Sequence, residues 1–260
     1  MPVKLRVNLA GPTPPTPFWH SKGLHALVLS WIQRADPGAA ELLHSTNSAK
    51  PYTISPLWSN HEGQHFEISV LTDELQELLQ TGAESHGEEI CLGQQQFHRH
   101  GDIELCDSLS WAELLQTSPC KGDMTFQLLS PTAHHQPGPF RKVLPLPSPE
   151  AYFGSWLQKW NLFAPLHIDS ALLNLVERHL AISFCKGHTQ AVPMENSRTF
   201  IGFVGLVTFR LLNRSDLSAQ DAALLAALSR LANFSGTGVA TLRGMGQTRS
   251  TTHQNKNPAD

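Results

Sequence analysis

The hydrophobic pattern of this chain runs through the same succession of elements twice. Residues 1–10 alternate, with Val3, Leu5, Val7 and Leu9 on one face, the period-2 pattern of a half-buried strand. A proline-rich loop (Pro12, Pro14, Pro15, Pro17) follows. Leu24, Leu27, Val28, Trp31 and Ile32 then recur at helical spacing until Asp36-Pro37-Gly38 breaks the helix. A short helix to His44 comes next. Residues 52–57 and 65–71 read as strands, and a helix begins at Asp73 and runs through Leu79. Residues 81–89 read as an acidic loop, 96–105 as a strand and 111–115 as a helical turn.

From residue 122 the order restarts. Residues 124–129 read as a strand and 134–139 as a loop. Ser148-Pro149 supplies the N-cap and first position of a helix striped by Phe153, Trp156, Leu157 and Trp160. Residues 168–176 fit either a helix or a mixed segment. Residues 182–190 and 200–212 read as strands. Ser218-Ala-Gln-Asp221 resembles a capping box, opening a helix that carries Leu224, Leu225, Leu228 and Leu231. Residues 239–247 read as a last strand interrupted by glycines. Each half therefore runs strand, helix, strand, strand, helix, strand, the ferredoxin-like order. The expectation is an α+β chain with two tandem ferredoxin-like βαββαβ domains, residues 1–121 and 122–249, and a flexible tail over 250–260.

With 260 residues, the chain can bury a core in either half. Its net charge of −3 argues, taken whole, against a general nucleic-acid binder. The total hides an asymmetry. Residues 1–121 hold 7 Lys/Arg against 14 Asp/Glu, whereas residues 122–260 hold 12 against 8. A change of sign between halves points to a polyanion partner on the second. The longest apolar run, residues 201–209, is far short of the roughly 20 residues that cross a bilayer, so no membrane partner is expected. The N-terminus lacks the apolar stretch of a signal peptide. Cys91, Cys106, Cys120 and Cys185 form no CxxC, which fits reduced thiols in a cytoplasmic protein.

The most unusual segment is residues 234–249, with glycines at 236, 238, 244 and 246. No Lys-Ser/Thr follows, so it is not a Walker loop, and it follows a helix, so it is not a Rossmann turn. Glycines let a polyanion backbone come close to peptide N–H groups, and Arg243 and Arg249 add charge beside them. The plainer reading is a glycine-rich hairpin and turn.

This segment resembles the C-terminal glycine-rich loop of the CRISPR repeat-processing endoribonucleases of the RAMP superfamily. Other stretches agree in order: Leu24-His-Ala-Leu-Val-Leu, Glu41-Leu-Leu-His44, Lys50-Pro-Tyr-Thr-Ile-Ser-Pro-Leu57, Leu128-Leu-Ser-Pro-Thr-Ala133, residues 144–161 and Phe200-Ile-Gly-Phe-Val-Gly-Leu-Val-Thr-Phe209. The resemblance spans nearly the whole chain, to about Arg249. It implies two ferredoxin-like domains and cleavage of precursor CRISPR RNA in the repeat, with no metal and no other cofactor. The RNA's own 2′-hydroxyl would attack the scissile phosphate, giving a 2′,3′-cyclic phosphate and a 5′-hydroxyl. His44 and Lys50 match the family's catalytic histidine and lysine in place and spacing. A histidine side chain can move a proton near neutrality, and a lysine cation can offset charge growing on a phosphorane. The family's tyrosine on the first helix has no counterpart. Leu29, Ser30 and Trp31 stand there instead, and only Tyr52 and Tyr152 exist in the chain. Ser30 or Tyr52 could take over its part, in-line positioning could carry more of the rate, or this member could be slow or inactive.

The RNA contacts expected are Gly236, Gly238, Arg243, Gly244, Gly246 and Arg249, with Arg141 and Lys142, and then Lys159 and Arg178. The partners considered are the repeat RNA, as a hairpin or its base, other CRISPR effector subunits and a second copy of the chain. The alternative function is a non-catalytic RAMP subunit that holds guide RNA as a scaffold. Taken without the resemblance, His44 is a helix-end histidine and Lys50 a solvated loop lysine. His98, His100, His134 and His135 lack partners at zinc spacing and read as surface groups. The Phe153, Trp156 and Trp160 stripe reads as core.

Overall fold

The computed structural model describes residues 1–46, 48–61, 63–119, 122–136, 142–194, 198–213 and 217–251. The first strand, β1 (Val3–Ala10), buries Val3, Leu5, Val7 and Leu9 as the alternation requires. Helix α1 (Ser21–Ala35) lays Leu24, Leu27, Val28, Trp31 and Ile32 on the sheet. Helix α2 (Pro37–Ser45) starts at once, because the Asp36 carboxylate accepts from the Gly38 and Ala39 N–H groups and proline fills the first position. The chain then forms β2 (Tyr52–Ile54), β3 (Trp58–Asn60) and β4 (Gly63–Val70). Helix α3 (Asp73–His86), β5 (Glu89–Leu92) and β6 (Gln95–Ser108) complete the first unit. Its sheet runs β2-β4-β1-β6-β5, with β3 on β4.

Helix α4 (Trp111–Leu115) leads to β7 (Asp123–Thr132), the small β8 (His134–His135) and β9 (Val143–Leu144) ladder, and α5 (Pro149–Phe163). Helix α6 (Leu172–His179), the long hairpin β10 (Leu180–Pro193) and β11 (Thr199–Leu211), α7 (Ala219–Ser235) and β12 (Thr248–Ser250) follow. This sheet runs β10-β11-β7-β12. Numbered along the chain within each unit, the principal strands of both sheets lie in the order 4-1-3-2. Both units are thus ferredoxin-like, as the doubled pattern predicts.

Each sheet closes its own core. Trp31, Phe66 and Leu79 lie in the first; Phe126, Trp156, Phe209 and Leu228 lie in the second. Ser148 and Ser218 cap α5 and α7, accepting from Ala151 N–H and Asp221 N–H. Residues 81–89 depart from the expected loop, because α3 continues to His86. Gly82 there faces the α1 backbone so closely that a Cβ would lie 1.9 Å from the Trp31 carbonyl oxygen. Residues 134–135 pair with 143–144 instead of forming only a loop. Residues 168–176 are the mixed segment of the two readings: 168–171 end in a turn and 172–176 open α6. Residues 239–247 are not a strand: they form a 3-10 turn, Thr241–Arg243, and pairing starts only at Thr248. Helix α4 belongs by packing to the second core, with Leu114 inside it and the Trp111 and Trp160 rings edge-to-face at 5.2 Å.

Candidate functional site

His44 lies in the last turn of α2 with its side chain exposed. Helix α2 ends where the Thr46 N–H and hydroxyl both return to the Leu42 carbonyl. The Lys50 ammonium donates to the Thr46 carbonyl. That bond folds the connection between α2 and β2 back on itself and holds Lys50 beside the histidine's helix end. A cation at the carbonyl end of a helix is also favourably placed toward the helix dipole.

Of the candidates to replace the tyrosine, the aromatic rings are buried and the half-buried serine is engaged within its own helix. Trp31 is fully buried and stacks on Phe66. Tyr52 is 2% exposed, and burial pushes its hydroxyl up to about 12. Ser30 donates its hydroxyl to the Leu27 carbonyl of its own helix. His44 therefore has no exposed tyrosine from the first unit available to it.

The glycine-rich segment is largely interior. Gly236, Gly244 and Gly246 are buried and Gly238 is half-buried. Gly236 N–H bonds the Ala232 carbonyl, Gly238 N–H the Ser155 hydroxyl, and Gly246 N–H the Pro131 carbonyl. The loop's amides are thus largely committed to the protein. Two positions cannot carry a side chain. Gly238 (φ +77°) would place a Cβ 2.0 Å from the Ala133 carbonyl oxygen, and Gly246 (φ +69°) one 2.1 Å from that of Thr237. Trp156 Nε1–H bonds Thr237 Oγ1 at 3.0 Å, and Thr237 Oγ1 meets Thr248 Oγ1 at 2.7 Å. The tryptophan stripe is core, as expected, and it also pins the loop.

The loop reaches across to the first unit. Gln247 Nε2–H donates to the Ile54 carbonyl at 3.1 Å. Leu242 packs on the first core, and the Gly244 backbone lies against Pro56. Strand β2 is therefore the shared anchor: the His44 and Lys50 connection enters one end, and the glycine-rich loop seats on the other. Sequence reading missed Gln247, whose only signal was a polar residue directly after the last glycine.

The basic candidates divide. Arg243 is half-buried on the 3-10 turn, and Arg249 is exposed on β12 opposite Gln127. Lys142 is exposed, and its carbonyl accepts from Gln136 N–H; Arg141 lies outside the described residues. Arg178 is exposed but folds back on the Asn174 carbonyl of α6. Lys159 corrects the expectation of a phosphate contact. It is 5% exposed, donates to the Ser235 carbonyl at the end of α7, and burial pulls its ammonium down to about 7. Its amine serves the helix end that launches the glycine-rich loop. Of the other histidines, His98 pairs with Glu88 at 3.1 Å. Among the described residues, no three His, Cys, Asp or Glu side chains cluster to hold a metal, and no helix is long and apolar enough to cross a membrane.

Two ferredoxin-like units joined by a buried glycine-rich loop define a protein of the RAMP type. The comparisons make this specific. The family model described as CRISPR-associated endoribonuclease Cas6 matches residues 126–248, and that of the CRISPR Cas6 N-terminal domain matches residues 1–101. The chain belongs to the Cas6 family. Among solved structures it is similar to a Thermus thermophilus Cas6 product complex, at 27% identity and TM-score 0.84, covering 96% of this chain and 100% of that one. A second Cas6 product complex aligns at 22% identity and TM-score 0.79 over 96% and 98% of the two chains. A Cas6-related protein from Pyrococcus furiosus aligns at 16% identity and TM-score 0.65 over 98% and 100%. No curated protein matches the chain.

Proposed function

We propose that this chain cleaves the repeat of precursor CRISPR RNA without metal, by attack of the 2′-hydroxyl on the scissile phosphate. The products are a 2′,3′-cyclic phosphate and a 5′-hydroxyl. What supports this is family membership together with one local arrangement: His44 and Lys50 held at the entry to β2, the strand on which the glycine-rich loop seats. His44 transfers protons in the reaction, and the Lys50 cation offsets charge on the phosphorane oxygens. With tyrosine absent from this surface, in-line positioning of the 2′-hydroxyl carries more of the rate.

In this reading residues 1–121 carry the chemistry and 122–249 the grip. Arg243, Arg249, Lys142 and Arg141 contact phosphates. Gly236, Gly238, Gly244 and Gly246 contribute through the shape they impose on the loop more than through free amides. The repeat RNA binds as a hairpin or at its base; other effector subunits and a second copy of the chain are further partners that this reading admits. The test is incubation with the cognate repeat RNA in EDTA, beside a copy with a 2′-deoxy sugar before the cut. The first is cut and the second is not. Tight binding of the first without cleavage would favour the scaffold role and sink the nuclease.

A further inference from the structure

A groove of about 900 Å³ lies on the first unit, between the start of α1, the end of α3 and the turn joining β5 to β6. Its wall is mostly apolar, and Trp19 stands at its lip with 62% of its surface exposed. Three groups lining it carry buried polar atoms with no hydrogen-bond partner: His20 Nε2, His86 Nδ1 and Gln95 Oε1. His20 is 95% buried by its 5% exposure, and its ring is wedged edge-on against Phe97 at 5.1 Å. His86 is held in the same way against Trp31 at 6.4 Å. The two imidazoles are therefore fixed in orientation. Burial lowers the pKa of both imidazoles; a hydrogen bond with the Gln95 side chain opposes this at His20, and at His86 Arg34 adds to it while a hydrogen bond with the Glu89 backbone opposes it, so only the atoms named above are left without partners. A neutral imidazole offers one donor and one acceptor.

Buried polar atoms without partners are uncommon and costly. Three around one apolar groove call for a ligand with a polar edge and flat apolar faces. A nucleobase has that shape: its π-face stacks on an aromatic ring and its edge meets side-chain donors and acceptors. Lys22 lies on the same rim, two residues beyond the N-cap His20 in the first turn of α1, with a charge suited to the attached phosphate. We infer that this groove takes an unpaired nucleobase of the substrate RNA, stacked on Trp19 and read by His20, His86 and Gln95. The inference rests on the RNA-processing function proposed above and adds to it a base-reading pocket separate from His44 and from the glycine-rich loop.

Cys91 lines the groove and is an exposed free thiol, which gives a direct readout. Its alkylation by N-ethylmaleimide is followed by mass spectrometry with and without saturating cognate repeat RNA. A second set of RNAs carries one abasic site at each unpaired position. Saturating RNA should slow Cys91 modification about tenfold or more, and one abasic position should restore it. Trp19→Ala should weaken RNA binding about 5- to 100-fold, the range expected for one lost stacking contact. That loss should vanish on the RNA with the same abasic position. RNA that is bound and cut while Cys91 stays equally reactive, or a Trp19→Ala loss identical on every abasic RNA, overturns the pocket and leaves the nuclease standing. A chain that neither binds nor cuts repeat RNA overturns both.

Discussion

His44 stands exposed in the last turn of a nine-residue helix, whereas Gly246 is buried on the far side of the same anchoring strand. Around His44, among the described residues, the bonds are short-range, Thr46 to Leu42 and Lys50 to Thr46, and the first long-range bond of the connection comes at Pro51, whose carbonyl accepts from Leu71 N–H. The glycine-rich loop is held by distant partners at Pro131, Ala133, Ser155, Trp156 and Ile54. One region leaves its imidazole exposed, as the proposed chemistry requires. The other has little freedom left, so what it supplies is geometry. Sites of chemistry and of preorganisation need not share a stability regime, and local stability within one fold spans a wide range.

Two substitutions set the regions against each other. His44→Ala should lower the rate of repeat cleavage by about 10²- to 10⁴-fold, the usual size of a lost general acid or base. Its unfolding free energy should stay within about 0.5 kcal/mol of the parent, as for an exposed side chain. A His44→Ala protein that cuts at the parent rate refutes the assignment. Gly246→Ala should do the reverse. The left-handed backbone and the 2.1 Å approach to Thr237 together should cost about 3 kcal/mol in urea unfolding. Cleavage should fall only as far as the loop is displaced. An unchanged urea midpoint would show that the loop is more pliant than its bonds indicate.

The elements legible in sequence were those decided locally. The alternation of β1, the Ser148-Pro149 start of α5 and the Ser218 cap of α7 each depend on residues a few positions apart. What stayed hidden was decided across the chain. Residues 239–247 carry an apolar pattern that suits a strand, but their carbonyl and amide partners at Ala133, Pro131 and Ala240 bend them into a turn. Residues 81–86 are polar enough for a loop, yet α3 runs on because Leu75, Leu79 and Ala83 extend one buried face. At the site, His44 and Lys50 came from family resemblance, and the Lys50 bond to the Thr46 carbonyl, two residues beyond His44, adds a reason for the spacing. Lys159 was misread because a lone lysine beside an aromatic stripe ordinarily faces water. Only the position of the α7 terminus makes its burial useful.

Lys159 offers the finest test of the difference, because it belongs to the constrained region yet carries a titratable group. Its ammonium is pulled down to about 7 by burial from an ordinary 10.5. Between those values the unfolded chain keeps the proton while the folded chain releases it. Stability rises with pH wherever the unfolded state binds more protons. The contribution of this group therefore grows from pH 7 toward 10.5, by up to about 1 kcal/mol per pH unit, and is flat below pH 7. Lys159→Met removes the titration and keeps most of the side-chain volume. The stability difference, parent minus variant, should climb across that window in urea unfolding at stepped pH, since all other groups cancel. The amine donates to the Ser235 carbonyl in either charge state, so the loop should stay seated in the parent throughout. A difference independent of pH would mean that water reaches the ammonium, and that the α7 end is looser than the glycine-rich loop it launches.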